Sequence, residues 1–570
     1  MTQSRRGWAI AVALVILGLV ASACQGTPGT SPGPSGGAAQ ADPNGMFVEN
    51  LGGSSDPDTI DPQKESFVSE INITMKVFDP LMTFDSNTGN PMPLAVKEMP
   101  KLSSDGLTYT FTLKDGLQYS DGQPVTAKNY EYGFKRLCDP NVAGDYAFTG
   151  YIVAGCEKYS TADPKATSPA DLQKLRDAVQ VKAVDDKTIT YTLTDKAPYF
   201  LSIMATWVGL PTREDMVTKG GEKWATDPST YIGNGPWVMK DWKHNESITF
   251  ERNEKHNPQV KFKTWKLLII NEHAVEFASY RNNELDTVAV IGTDRKTVEG
   301  DPELSKQLTK GATSPYCTFT QGYNTTKPPF DDPNVRLAFS KAIDRQQYVE
   351  DILGGIGTPN MSFMPPGLPA HDPTDDTQKF DPAAAKQLLS QSKYAADLTS
   401  GKLKVSMGFS SSQVGLTRAQ WFQAQYKQNL GVNIDLDAQE STTYSKNVKK
   451  TETTPQVFRL GWCMDYPDPQ DWLTTVFRSD TTVWHGGWKN KEFDDLVTQA
   501  DKEPEQSKRE TLYKQAQKVL TKDAPVGFVY TNAAWTLVKP WVQGWKLAAL
   551  DYYFSSLNLY NMTITTAKPK

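Results

Sequence analysis

Histidine is scarce in this chain, with five in 570 residues, at positions 244, 256, 273, 371 and 485. No two of them stand at metal-ligand spacing on a helix, and there is no HExxH. Cysteine is equally sparse. Its five copies form no CxxC and no Cys/His pattern, so the sequence calls for no metal and no other cofactor. A Walker-type Gly-Lys-Ser/Thr is missing, and no GxSxG stands between a strand and a helix. Gly354-Gly-Ile-Gly357 is glycine-rich but reads as a helix terminus. The acids are too many for a glycosidase pair to be chosen by inspection. Positive charge is in deficit, and the net charge of −6 argues against a nucleic acid partner. Nothing here demands an enzyme.

Long apolar runs are confined to the N-terminus. Arg5-Arg6 precedes the uncharged stretch Trp8 to Ala23, which is short for a stable membrane span and suits the core of an export signal. It ends in Val20-Ala-Ser-Ala-Cys24. Small residues before a Cys resemble the lipobox of bacterial lipoproteins, in which the Cys is acylated after cleavage. Ala21 stands where Leu is usual. Ser4-Arg5-Arg6 faintly resembles a twin-arginine signal, although the following residues fit it poorly. Residues 24–45 are rich in Gly, Pro, Ser and Thr and cannot bury a core. They read as a flexible tether spanning on the order of 25 Å. The expectation is a signal over 1–23, a lipidated Cys24 and a globular body held outside the membrane.

What remains is too long for one core and predicts two or three domains. Four cysteines follow Cys24, and outside the membrane an even number suggests two disulfides. Local pairing would join Cys138 to Cys156 and leave Cys317 with Cys463. Leu107, Tyr109, Phe111 and Leu113 alternate with polar residues, which predicts a strand with one buried face. Asp115-Gly116 then predicts a hairpin with Leu117 and Tyr119 on the return strand. Thr188 to Leu193 is a second alternating strand. Phe67 to Leu81 has helical spacing. Asp332-Pro333 starts a helix that should run toward Gly354-Gly355. Lys402 to Leu436 reads strand, helix, strand, and so a right-handed α/β unit. The fold class is mixed α/β, with sheets in more than one lobe.

The densest stretch is Leu460-Gly-Trp-Cys-Met-Asp-Tyr-Pro-Asp-Pro-Gln-Asp-Trp472. A buried strand enters it, the prolines stop the ladder, and a helix follows. Asp468 before Pro469 is a good helix cap, and Asp471 belongs in the first turn, where the helix dipole favours an acid. Asp465 has no such explanation. It is either hydrogen-bonded to nearby backbone or held for a cation. The chain also carries 14 Trp and 23 Tyr, which suit a wall that stacks on ligands or plain core.

Five segments together resemble a known family. They are Ser104 to Gly116 with Ser120 to Ala127, Tyr231 to Trp237 with Glu251 to Asn253, Pro329 to Asp344, Gly461 to Pro469, and Leu537 to Gly544. In this order they resemble the extracytoplasmic solute-binding proteins of ABC importers, in the class that carries oligopeptides and dipeptides. The likeness spans about Met46 to Tyr560. It implies an α/β fold of two closing lobes, type II-like among periplasmic binding proteins. One lobe would take 46–78, 205–316 and 534–570, with an extra subdomain over 79–204. The second lobe would take 317–533.

The resemblance also implies roles. Asp465 would bind a peptide's α-amino group, and Gly461, Trp462 and Cys463 would pair with the peptide backbone. Tyr146 would contact ligand from the subdomain, and Arg459 would receive peptide carboxylates. Ser66 and Val68 would lie in a contact strand of the first lobe. A Cys317–Cys463 bridge is implied as well. Ser441 and Gly415 replace a pocket Trp and a His of the closest subgroup. The partners implied are a peptide, the permease subunits of an importer, and the membrane through a lipid anchor, with the protein acting as a monomer. Two other readings remain, the same fold holding an oligosaccharide or another solute, and a secreted hydrolase.

Overall fold

The computed structural model describes residues 39–52, 56–85, 88–311, 316–481, 483–547 and 556–569. The expected signal, Cys24 and most of the tether lie outside these residues. Gln40 to Lys570 make one compact unit. Its order begins earlier than the sequence suggests. Ala41 bridges to Thr565, Asp42 N–H donates to Ile564 at 2.7 Å, and Gly45 is pressed against the Ile564 side chain. The last residues of the expected tether are therefore fastened to the C-terminal tail.

Met46–Asn50 runs parallel to Thr264–Leu268, and Ser247–Arg252 and Trp237–Lys243 extend that sheet antiparallel. Trp237, Phe250 and Trp265 fill its core. A three-stranded sheet places Ala534–Val538 between Thr287–Ala289 and Leu308–Gly311. A separate four-stranded sheet uses the threonine-rich strands. Thr108–Thr112 pairs with Thr188–Thr192, which in turn pairs with Val181–Ala183. The apolar residues of the alternation, Tyr109, Phe111, Ile189 and Tyr191, are buried, as period two requires.

The expected hairpin at Asp115-Gly116 does not form. The chain doubles back again within a few residues, because Tyr119 N–H donates to Gln123 and Gln118 bridges to Pro124. No length remains for a return strand, and Thr108–Thr112 takes its partners from Lys101–Leu102 and Thr188–Thr192 instead.

The largest sheet has six strands, in the order Thr358–Pro359, Val526–Thr531, Cys317–Tyr323, Val457–Cys463, Val405–Ser410, Ile434–Gln439. The last two are parallel and are joined through helix Gln413–Leu430, which is the expected α/β unit. The helix begun by Asp332 and Pro333 ends at Lys341, well short of Gly354. Asp344 accepts from Gln347 N–H and starts a second helix, Arg345–Leu353. Arg345 is buried and donates to the Phe528 carbonyl and to Ser340, which fixes the bend.

Cys138 is bonded to Cys156, and Cys317 to Cys463. The second bond joins directly opposite residues of adjacent strands in the six-stranded sheet. Replacing both Cys317 and Cys463 by Ala is expected to cost about 2–5 kcal/mol. Urea unfolding followed by circular dichroism checks this, with the midpoint falling in the double variant.

Candidate functional site

The Val457–Cys463 strand pairs along its whole length with Cys317–Tyr323. Its other edge meets Val405–Ser410 only at Val457. Among the described residues no strand covers that edge from Phe458 to Cys463. The Tyr444 hydroxyl sits across it at Arg459, accepting from the Arg459 N–H at 3.1 Å and donating to its carbonyl at 3.3 Å. Beyond that cap the backbone of Leu460 to Cys463 leads to the turn holding Asp465.

Gly461 is required by close approach. A Cβ there would lie 2.5 Å from the Phe319 ring on the neighbouring strand. Phe319 also carries Arg459, whose guanidinium carbon lies 4.4 Å from its ring centroid. Arg459 donates to the Tyr530 hydroxyl at 3.2 Å.

At the other end, Asp465 and Asp471 are buried together. Asp465 is 3% exposed and Asp471 0%. Asp471 Oδ2 accepts the Asp465 N–H at 3.0 Å. Burial raises the pKa of Asp471 well above the carboxylate range, and the charge of Asp465 adds to the rise. The Tyr146 hydroxyl comes to Asp465 from a different part of the chain and interacts with its carboxylate. Burial pushes its pKa up, as do the two carboxylates. Trp207 braces Tyr146 edge-on at 4.9 Å between ring centroids.

The loop carrying Tyr146 is seated by Gly144, where a Cβ would stand 1.9 Å from the Gln63 carbonyl oxygen. That contact places the loop against residues 63–66. Ser66 donates to Asp145 at 3.0 Å, and Lys449 reaches the same carboxylate at 3.1 Å. Ser66 therefore lies beside Tyr146, but in a loop. Val68 opens helix Val68–Val77, so neither residue belongs to a strand. The Glu70 carboxylate accepts from the N–H groups of Ser66 and Phe67 and closes the helix start there.

Asp468 and Pro469 also differ from expectation. Asp468 accepts from Gln470 N–H, but both its oxygens are bound by Arg509, at 2.5 and 2.7 Å. Arg509 is 1% exposed and comes from helix Gln506–Asp523. The turn after Pro469 is a wide π-type turn over Gln470–Thr474, and it points Asp471 inward. Sequence reasoning gave Asp471 a helix-end role and so missed it. The signal was its spacing of six residues from Asp465 across two prolines. Cys463 is committed to its disulfide, so it offers only backbone. Gly415 lies in the first turn of helix Gln413–Leu430, and the Ser441 hydroxyl pairs with Ser410 at 2.7 Å.

Residues 90–483 match the family profile described as bacterial extracellular solute-binding proteins, family 5 Middle. The chain belongs to this family. It shares the family's mixed α/β, two-lobed fold. The periplasmic oligopeptide-binding protein OppA of Salmonella typhimurium is 30% identical over 551 residues, which is 93% of this chain and 95% of that protein. The probable deoxycholate-binding periplasmic protein YgiS of Escherichia coli is 30% identical over 513 residues, 89% and 92% of the two chains. The solved structure of the Escherichia coli murein tripeptide binding protein MppA superposes with a TM-score of 0.78 at 26% identity, covering 92% of this chain and 99% of that one. This solute-binding chain is thus extracytoplasmic by family, and its family binds solutes rather than transforming them.

Two outcomes test the turn. Arg509→Ala leaves the Asp468 carboxylate without its partner, and a loss of about 3–5 kcal/mol is expected in urea unfolding. Asp471→Asn keeps an acceptor for Asp465 N–H but removes a buried ionisation. A raised native pKa means that the native state holds its proton longer than the unfolded chain. Stability then falls as pH rises from the ordinary carboxylate value through the native one. Asp471→Asn should therefore raise the Tm of the ligand-free protein at pH 7.5, and the gain should shrink toward pH 4. Calorimetric scans across that range check it, and a gain that does not change with pH would contradict the assignment.

Proposed function

We propose that this protein captures short peptides in a cleft between two lobes and hands them to the permease subunits of an ABC importer. The observation that carries the reading is the uncovered edge of the Val457–Cys463 strand, running into a buried acid. An extended peptide can add to such an edge as a strand, so its backbone supplies affinity whatever its side chains. Gly461, Trp462 and Cys463 would offer the backbone groups. Asp465, with Tyr146 beside it, would take the peptide's ammonium group as a charge-assisted hydrogen bond in a dry site. Arg459, at the far end, would face the carboxylate. At about 3.3 Å per residue, Arg459 to Asp465 is at most about 20 Å of extended chain, the scale of a peptide of a few residues.

The oligopeptide-binding and murein tripeptide-binding relatives support the peptide reading. The probable deoxycholate-binding relative YgiS marks the alternative, another solute held by the same fold. A buried acid pair favours a cation over an anionic bile acid or a neutral sugar. We assign one lobe to 46–78, 205–316 and 534–570, its subdomain to 79–204, and the other lobe to 317–533. Ser66, Asp145 and Tyr146 would then meet Lys449 and Asp465 across the cleft, and closure would be a hinge motion that a ligand favours. Cys24 would be the lipid anchor that keeps a monomer at the outer face of the membrane. Ser66 and Val68 would line the first lobe's side of the cleft.

Asp465→Asn is expected to weaken binding of free-amine tri- to pentapeptides by about tenfold or more, and to leave N-acetylated peptides little changed. Isothermal titration measures both series. Equal affinity of the unaltered protein for free and acetylated peptides would sink the role given to Asp465.

A further inference from the structure

Arg459 is not alone at its end of the strand. Arg418 stands one turn before Trp421 on helix Gln413–Leu430, and the Trp421 ring meets Tyr348 edge-on, so the helix face carrying both lies against Tyr348, whose hydroxyl feels the charges of Arg418 and Arg459. Burial and neighbouring Tyr530 still hold the Tyr348 hydroxyl up, at about 12, so it stays a neutral donor. The walls are aromatic. Tyr348 stacks on Tyr530 at 5.6 Å and meets Trp421 edge-on at 5.0 Å, and Phe319 stacks on Tyr530 at 4.8 Å. The Arg418 Nε is buried and has no hydrogen-bond partner. Among the described residues no carboxylate lies within ion-pair distance of Arg418 or Arg459.

Two guanidinium groups acting on one tyrosine without a carboxylate partner carry a cost in uncompensated charge. A buried donor left without an acceptor adds to that cost. Both costs end when an anion enters. A planar carboxylate fits, because a guanidinium fork offers it parallel N–H donors and the aromatic walls exclude water.

We propose that Arg418 is a specificity residue that, with Arg459, receives the carboxylate end of the bound ligand. The proposal rests on the peptide reading for its ligand and adds a residue to it. Helix Gln413–Leu430 brings Arg418 in from outside the strand, so the receptor is a two-sided clamp. Its reach sets which peptides are held by their C-terminus.

The test uses the mature chain and tetra-alanine, either as the free acid or C-terminally amidated. Titration calorimetry of the unaltered protein should favour the free acid by about tenfold or more. Arg418→Gln should lower free-acid affinity by about tenfold and leave the amide unchanged, so that the preference collapses. Arg418→Lys, which keeps the charge, should restore part of it. An unchanged preference in Arg418→Gln overturns the proposal. Should neither peptide bind the unaltered protein, the peptide reading fails separately. Succinate and N-acetylglycine then probe the clamp alone. A Tm rise with these anions that is absent in Arg418→Gln supports the clamp, and the same response in both proteins, or none in either, overturns it.

Discussion

The burial of charge around the turn after Cys463 constrains much of what surrounds it. Three acids stand within seven residues there, and water reaches them poorly. A carboxylate in that position needs donors or must hold its proton. Asp468 obtains both forks of Arg509, which pins helix Gln506–Asp523 against the turn. Asp471 takes a backbone N–H and is pushed toward its neutral form by burial and by Asp465. Asp465 is met by a hydroxyl from residue 146, more than 300 positions away in sequence. Each solution ties a distant piece of chain to one place.

The same logic extends along the strand. Its first part is occupied, since Cys317–Tyr323 covers one edge and Tyr444 caps the other at Arg459. Its last part is left open between an acid pair and a basic end. Backbone groups on an open edge bind any extended chain, whereas charges at the ends fix direction and register. Under the proposed function, such an arrangement would read termini and backbone and leave side chains alone. Close contacts at Gly461 and Gly144 hold both faces in place, because neither position has room for a Cβ.

Much of the fold was legible in the residues. Alternation at Tyr109 and Phe111 identified a half-buried strand, and Asp332-Pro333 marked a helix start that holds. The signals that failed were local ones overruled by neighbours. Asp115-Gly116 has good turn chemistry, yet a second turn at Asp121-Gly122 consumed the return strand. The apolar stripe after Val335 is continuous, yet Asp344 and buried Arg345 bend the chain into two helices. Asp471 looked like an ordinary first-turn acid, and a π-type turn directed it inward.

By itself the sequence determined the mixed α/β class, the strand and helix that flank Asp465, and the strangeness of Asp465 as an acid without a local role. These depend on periodicity, capping and composition, which act over a few residues. Only the tertiary structure decided that Asp471 shares its site, that Tyr146 reaches Asp465, and that the charges of Arg418 and Arg459 both act on Tyr348. Those pairings arise from long-range packing and desolvation. The energy of a charge depends on everything around it, and that is set only once the whole chain has folded.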